Sequence, residues 1–400
     1  MNLKFYLKNF FNLIFTGTLF RISIFLSTFL LISFIDPFNY GKWQLIKSIL
    51  GATIILLEFG FFYSFNNLVN IFNYNFKSVL FSVYKFRLFL NLLILPILII
   101  YLAINNFDFA SISIIILLFF LLIFDYDLAL DVIKKNNLVN LVRLLKFSIF
   151  CSLIFHYKNS LTINNILIFF IISHIFSIIF QYISFTNFKD KNKKIFSFSI
   201  QAIIKKNINF FLIRFFSQFI IVSSIIISPF FLTYDEIAYA GILIALGELI
   251  LLPTYQVQRF LLPRLLKNNI KQFFYPIALS SIIILIGFFM FIFIGIDLMY
   301  LILKDKYNIN FLFNLSKLMF FYAVIMNINV HINLILYNVN KYVILKNITV
   351  FVGIISLPIH IFFIHSLSIF GLVISIIILQ ILFFVFSLYF LLKKNLIKIK

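Results

Sequence analysis

Cysteine occurs once in these 400 residues, at Cys151, and glycine ten times. A single thiol excludes a disulfide within the chain and any cysteine-based metal site. No glycine-rich phosphate loop appears, which argues against ATP hydrolysis on this chain. Charged residues make up 11% of the chain, against about a quarter in soluble domains. No pair of the five histidines, 156, 174, 331, 360 and 365, has the i, i+4 spacing of a helical metal site. The segment from Met1 to Phe34 lacks a small-residue cleavage site and is expected to be a first transmembrane helix, not a removed signal peptide.

What fills the chain is apolar mass: 63% of residues are hydrophobic and sixty are Phe. A soluble fold could not hide that surface, whereas a lipid-embedded helical bundle has an apolar exterior. The Phe content reads as lipid-facing and packing mass, not as an aromatic binding site. Membrane helices need about 20 mostly apolar residues, and twelve stretches qualify: approximately 10–34, 43–65, 86–104, 111–129, 144–160, 164–186, 208–232, 237–258, 273–297, 313–337, 345–365 and 369–391. The expected fold is an all-α polytopic membrane protein. The net charge of +21 does not indicate nucleic acid, because the basic residues lie in small groups between apolar stretches. They alternate. One side holds, among others, Lys77, Lys85, Arg87, Lys134, Lys135, Arg143, Lys146, the lysines from Lys189 to Lys194, Arg259, Arg264, Lys341, Lys346 and the tail lysines. The other holds only Lys42, Lys158, Lys304 and Lys306. By the positive-inside rule both termini are expected in the cytoplasm. Every loop is short, leaving no room for a soluble catalytic domain.

The basic linker beginning at Lys189 divides the chain into two expected lobes of six helices, 1–190 and 191–400. The halves start alike. The first outer turn reads Asp36-Pro-Phe-Asn-Tyr40-Gly41, and the matching turn of the second half carries Asp235 with Tyr239 and Ala240. Parallel repeats of this kind are common in transporters.

Charges inside membrane helices are costly and need a reason. Arg21 lies about 11 residues from either end of its helix, so its head would have to reach roughly 15 Å along the axis to leave the core. Lys47 and Glu58 share one face of the second helix, Arg214 is in the seventh, Glu248 in the eighth and Lys317 in the tenth. One reading is a polar cavity in which Arg21, Arg214 and Lys47 neutralise a phosphate or diphosphate, while Glu58 and Glu248 balance the empty cavity or couple transport to H+ or Na+. The other is intramembrane ion pairing, Arg21 with Glu58 and Arg214 with Glu248, with Lys47 and Lys317 snorkelling. Asp125-Tyr126-Asp127 looks like a transferase acidic pair. With Asp131 and Lys134-Lys135 beside it and no soluble domain around it, the expectation is a charged, solvated helix end. His174 and His331 lie within helices, either proton-linked or packed and hydrogen-bonded. Pro229, Pro253, Pro263 and Pro358 mark expected kinks.

The segment Phe34-Ile-Asp36-Pro37-Phe-Asn-Tyr40-Gly41-Lys42-Trp43, followed by Glu58-Phe59-Gly60, resembles the start of polysaccharide flippases. These are the O-antigen and capsule exporters of the multidrug/oligosaccharidyl-lipid/polysaccharide superfamily. Leu252-Pro253-Thr-Tyr-Gln-Val-Gln-Arg259-Phe-Leu-Leu-Pro263-Arg264 is similar to that family after its eighth helix. Glu58 stands where the family more often has Asp. The resemblance implies a MATE-like exporter fold and a non-enzymatic flippase of the bacterial inner membrane. Its substrate would be an undecaprenyl-diphosphate-linked oligosaccharide, its surroundings membrane lipids, and its partners a polysaccharide polymerase and chain-length regulator. An integral-membrane polymerase or lipid-linked glycosyltransferase is the alternative, and a small-solute or drug antiporter on the same scaffold the third.

Overall fold

The computed structural model describes residues 23–61, 65, 68–69, 72–126, 129–132, 136–186, 194–196, 200–252, 254–255, 274–303, 306–338 and 342–393. These residues are almost entirely helical. In chain order the helices are α1 (Ser23–Phe34), α2 (Pro37–Glu58), α3 (Phe76–Ile104), α4 (Phe109–Phe124), α5 (Ala129–Val132), α6 (Asn136–His156), α7 (Ile163–Thr186), α8 (Ile200–Ile227), α9 (Tyr234–Ile250), α10 (Phe274–Leu303), α11 (Ile309–Asn338) and α12 (Tyr342–Lys393). A 3-10 turn at Ser228–Phe230 holds Pro229.

Each expected apolar stretch finds a helix, with two adjustments. The four-residue α5 follows α4 after the non-helical Asp125–Tyr126. The 52 residues of α12 would extend about 78 Å as one rod, more than twice a hydrocarbon core of about 30 Å. They are two helices. Ser368 has φ 53° and ψ −132°, and the chain turns back there, so that His360 Nδ1 lies 2.7 Å from Ser375 Oγ. Counted this way, the described residues place a helix at each of the twelve expected stretches. Seven helices are long and apolar enough to span a membrane by themselves.

Local chemistry starts these helices where they start. Asp36 accepts from the Asn39 amide at 3.0 Å at the head of α2. Asn75 accepts from Ser78 N at the head of α3. Asp108 does the same for Ser111 at α4, and the Ser111 hydroxyl and amide hold the Asp108 carboxyl below its ordinary range. Thr233 and Glu236 form a reciprocal capping box on α9, two orphan amides satisfied at once. The second half therefore caps its turn with Thr233, two residues ahead of the Asp235 that the repeat pairs with Asp36.

The chain divides into two compact units: the described residues of Met1–Ile35 with Thr53–Phe211, and of Asp36–Ala52 with Leu212–Lys400. In the first, Phe61, Phe65, Phe76, Phe86 and Tyr126 form the centre of one core. In the second, Ile213, Ile220, Leu336, Leu345, Leu379 and Phe383 form another. The phenylalanines divide between such cores and the outside. On α10, Phe293 is 81% and Leu301 75% exposed, a surface that only lipid makes favourable.

Candidate functional site

The residues expected to line a cavity are distributed as follows. Arg21 lies outside the described residues. Lys47 is half-buried on α2 within the second unit, and Glu58, the last residue of α2, is buried in the first. Arg214 is half-buried on α8 and Glu248 exposed on α9, both in the second unit. Lys317, half-buried on α11, bonds Asn314 Oδ1 at 3.1 Å and sits 4.5 Å from the Phe313 ring, the posture of a snorkelling lysine.

The two short motifs acquire physical reasons. In the first, Tyr40 is fully buried, and Gly41 abuts the backbone carbonyl of Tyr234, where any Cβ would collide. One helix farther on, Gly241 of α9 abuts the side chain of Gln44. Glycine on each helix thus lets α2 and α9 cross within the second unit. In the second motif, Glu58 closes α2, and Phe59 (φ 38°) and Gly60 (φ 75°) turn the chain through left-handed backbone. A Cβ on Gly60 would lie 2.9 Å from the Asn207 carbonyl oxygen, so this stop doubles as a close approach to α8. Phe59 stacks on Phe211 at 4.3 Å.

The densest polar arrangement lies elsewhere, in the first unit at the break after α4. Ending a helix there leaves carbonyls without intrahelical partners. Arg87 of α3, only 2% exposed, answers them: its Nη1 donates to the carbonyls of Leu122, Ile123 and Asp125 at 3.2, 3.3 and 3.1 Å. Its guanidinium also lies 4.4 Å over the Tyr126 ring, a cation–π contact worth about 2 kcal/mol when desolvated. Asn91, one turn on, donates to Phe119 O at 2.6 Å. Gln181 of α7 accepts from Tyr126 N at 3.0 Å.

The Asp125 carboxylate is the hub. Lys146 Nζ of α6 is 2.9 Å from Oδ2, and His174 Nδ1 of α7 is 2.6 Å from the same oxygen. Oδ1 accepts from Gln181 Nε2 at 2.6 Å and from Ser177 Oγ at 3.2 Å. This corrects the expectation of a solvated helix end: the Asp125 side chain is 9% exposed and paired. Arg87 and Lys146, expected near the starts of the stretches 86–104 and 144–160, lie deeper in their helices. The apolar stretches begin late, but α3 starts at Phe76 under its Asn75 cap, and α6 starts at Asn136. Both cations therefore stand about three turns inside their helices. Of His174's two readings, the structure adds a carboxylate contact.

Beside this knot, a cavity of about 380 Å³ opens between α3, α4 and α7, lined in part by Lys77, Tyr84, Phe124, Gln181 and Tyr182. A second cavity, of about 350 Å³ and lined almost wholly by apolar side chains of α9, α10 and α11, lies in the second unit.

No family model matches the sequence, and no curated protein matches it. Solved structures do. A lipid II flippase, MurJ, in an inward closed conformation superposes with a TM-score of 0.74 at 14% identity, over 94% of this chain and 86% of that one. An inward-facing multidrug resistance MATE family transporter of the MOP superfamily gives 0.69 at 14% identity, over 92% and 93%. MATE in a bent conformation gives 0.61 at 13%, over 95% and 92%. The chain shares its fold with these MATE and MurJ structures.

Proposed function

We propose that this chain is a flippase carrying an undecaprenyl-diphosphate-linked oligosaccharide, an O-antigen or capsule repeat unit, from the cytoplasmic to the periplasmic leaflet. The observation that carries the reading is the superposition on a lipid II flippase over 94% of this chain. The flippase-like segments at Asp36–Gly41 and Glu58–Gly60 agree with it, and each has a structural role here. In this reading the lobes 1–190 and 191–400 alternate in access. Arg21, Arg214 and Lys47 bind the diphosphate, and Glu58 and Glu248 balance the site. The protein sits in the inner membrane with both termini cytoplasmic, working beside a polymerase and a chain-length regulator.

Gene deletion tests this. A flippase deletion leaves single repeat units on the inner leaflet and removes the surface polysaccharide. One-repeat caps at the surface of the deletion strain would instead assign the chain to polymerisation.

A further inference from the structure

The first unit holds a slot that its own helices do not fill. With 16 residues, α4 is about 24 Å long, short of a hydrocarbon core of about 30 Å. Arg87 of α3 and Gln181 of α7 mark the level at which it stops. By then α3 has already run about three turns from its start at Phe76, and α7 continues to Thr186. The short α5 does not close the gap: Ala129 and Leu130 are buried in the core of the unit, and no residue of α5 lines the cavity of about 380 Å³ between α3, α4 and α7. Its walls are Leu80, Phe81, Phe124, Ile178 and Phe185. The slot opens on the outside of the unit, where Phe81, Phe124 and Tyr182 are 59%, 48% and 67% exposed. An apolar surface of this kind belongs against lipid, not water.

The mouth of the slot is cationic. Lys77, exposed in the first turn of α3, lines it beside Tyr182 and Thr186. Lys85 stands about two turns farther along the same face. Helical side chains lean back toward the start of their helix, and the Lys85 ammonium accordingly lies 4.7 Å over the Phe81 ring. Lys194 is fixed at the same end: its carbonyl accepts from Asn75 N at 2.7 Å, and its ammonium sits 4.4 Å from the Tyr74 ring. Asp125 is engaged by Lys146 and His174, and among the described residues neither Lys77 nor Lys85 forms a salt bridge with a carboxylate.

Apolar walls with unopposed cations at the mouth match the two halves of an acidic lipid, and basic pockets between membrane helices hold anionic headgroups. We propose that this slot binds phosphatidylglycerol, with its phosphate at Lys77 and Lys85 and an acyl chain against Phe124 and Phe185. A zwitterionic lipid offers the same chains, but its own ammonium cancels the phosphate charge that the lysines meet. Selection therefore comes from the lysines, and hydrocarbon burial from the walls. The bound lipid completes the bundle where α4 stops. It lies against Gln181, which lines the slot and accepts from Tyr126 N in the backbone after α4.

This site does not depend on the flippase reading, and gene deletion does not bear on it. The test uses the full chain in phosphatidylcholine nanodiscs doped with a lipid carrying a diazirine on one acyl chain, either phosphatidylglycerol or phosphatidylcholine. Labels are mapped by mass spectrometry of peptides. We expect phosphatidylglycerol to label α3 and α7, around Phe81 and Tyr182, about fivefold or more above phosphatidylcholine, because each lysine near an anionic lipid surface is worth about a factor of five. The lipid-facing α10 around Phe293, which contains no lysine or arginine, should show no such preference and serves as the reference. Lys77→Gln combined with Lys85→Gln should bring the ratio at α3 and α7 to that at α10. Excess glycerol phosphate in the aqueous phase should leave the labelling unchanged. Equal wild-type labelling of α3 and α7 by the two lipids overturns the proposal and leaves annular lipid only. So does a preference that survives the double change. Displacement by glycerol phosphate would assign the mouth to a soluble phosphate and overturn the lipid assignment. The wild-type ratio decides by itself, should the double variant fail to fold.

Discussion

Arg87 is a cation whose partners are carbonyl dipoles at a helix end, not a carboxylate. Its removal leaves buried acceptors without donors, each costing about 1–3 kcal/mol. Arg87→Leu should therefore destabilise the first unit by about 3 kcal/mol or more, read as a lower thermal midpoint in detergent. Arg87→Lys should recover only part, because an ammonium lacks the delocalised plane that lies over the Tyr126 ring. Arg21 poses the complementary question. If it binds a diphosphate, Arg21→Lys keeps some export, since charge survives while the bidentate fork is lost. Arg21→Ala and Arg21→Gln abolish export at normal protein level. If it only pairs with Glu58, the double change with Glu58→Gln restores what either single change loses. Full export by Arg21→Ala sinks both roles.

At the scale of elements, the breaks are more informative than the helices. The break after α4 exposes backbone that Arg87 and Gln181 satisfy from two neighbouring helices, and non-helical backbone at membrane depth survives only under such cover. The turn within α12 is made by Ser368 at φ 53° and ψ −132°, a sparsely populated conformation that costs an L-residue about 1–3 kcal/mol and glycine far less. Ser368→Gly should raise the thermal midpoint by an amount equivalent to about 1 kcal/mol, and Ser368→Val should lower it. Equal midpoints for all three chains would mean the turn carries no strain. The clamp from His360 Nε2 to Ile220 O at 2.8 Å ties this hairpin to α8, so the glycine variant should keep the same packing.

For the whole molecule, orientation is the open property with the most direct test. The alternation of basic loops places residues near 190, 268 and 400 in the cytoplasm and residues near 40, 158, 235 and 305 outside. Alkaline phosphatase fused at Asp235 or Asp305 should be active, and fused at Asp190 or Asn268 inactive. The reverse pattern would invert the model of transport from cytoplasm to periplasm. Arg87 and Lys146 are not needed for this orientation, because Lys77, Lys85, Lys134 and Lys135 are on the same side.

The number and order of membrane helices follow from sequence alone, because a run of about 20 apolar residues is local information and its meaning in lipid is unambiguous. The same holds for the turn at Asp36, where cap, proline and glycine adjoin each other in the chain. Helix starts were less legible. Polar residues such as Asn75 cap a helix about ten residues ahead of the apolar run it introduces, so Arg87 reads as the start of its stretch and stands about three turns inside the helix. The convergence of Arg87, Asp125, Lys146 and His174 was not legible at all. Each sits on a different segment, no spacing relates them, and Asp125-Tyr126-Asp127 alone has the look of a solvated end. Only packing α3, α6 and α7 around a broken α4 brings them within 3 Å or so of shared partners. Tertiary packing likewise decided that Asp36–Ala52 groups with residues 212–400. That follows from Gly41 and Gly241, whose missing side chains matter only once α2 and α9 cross.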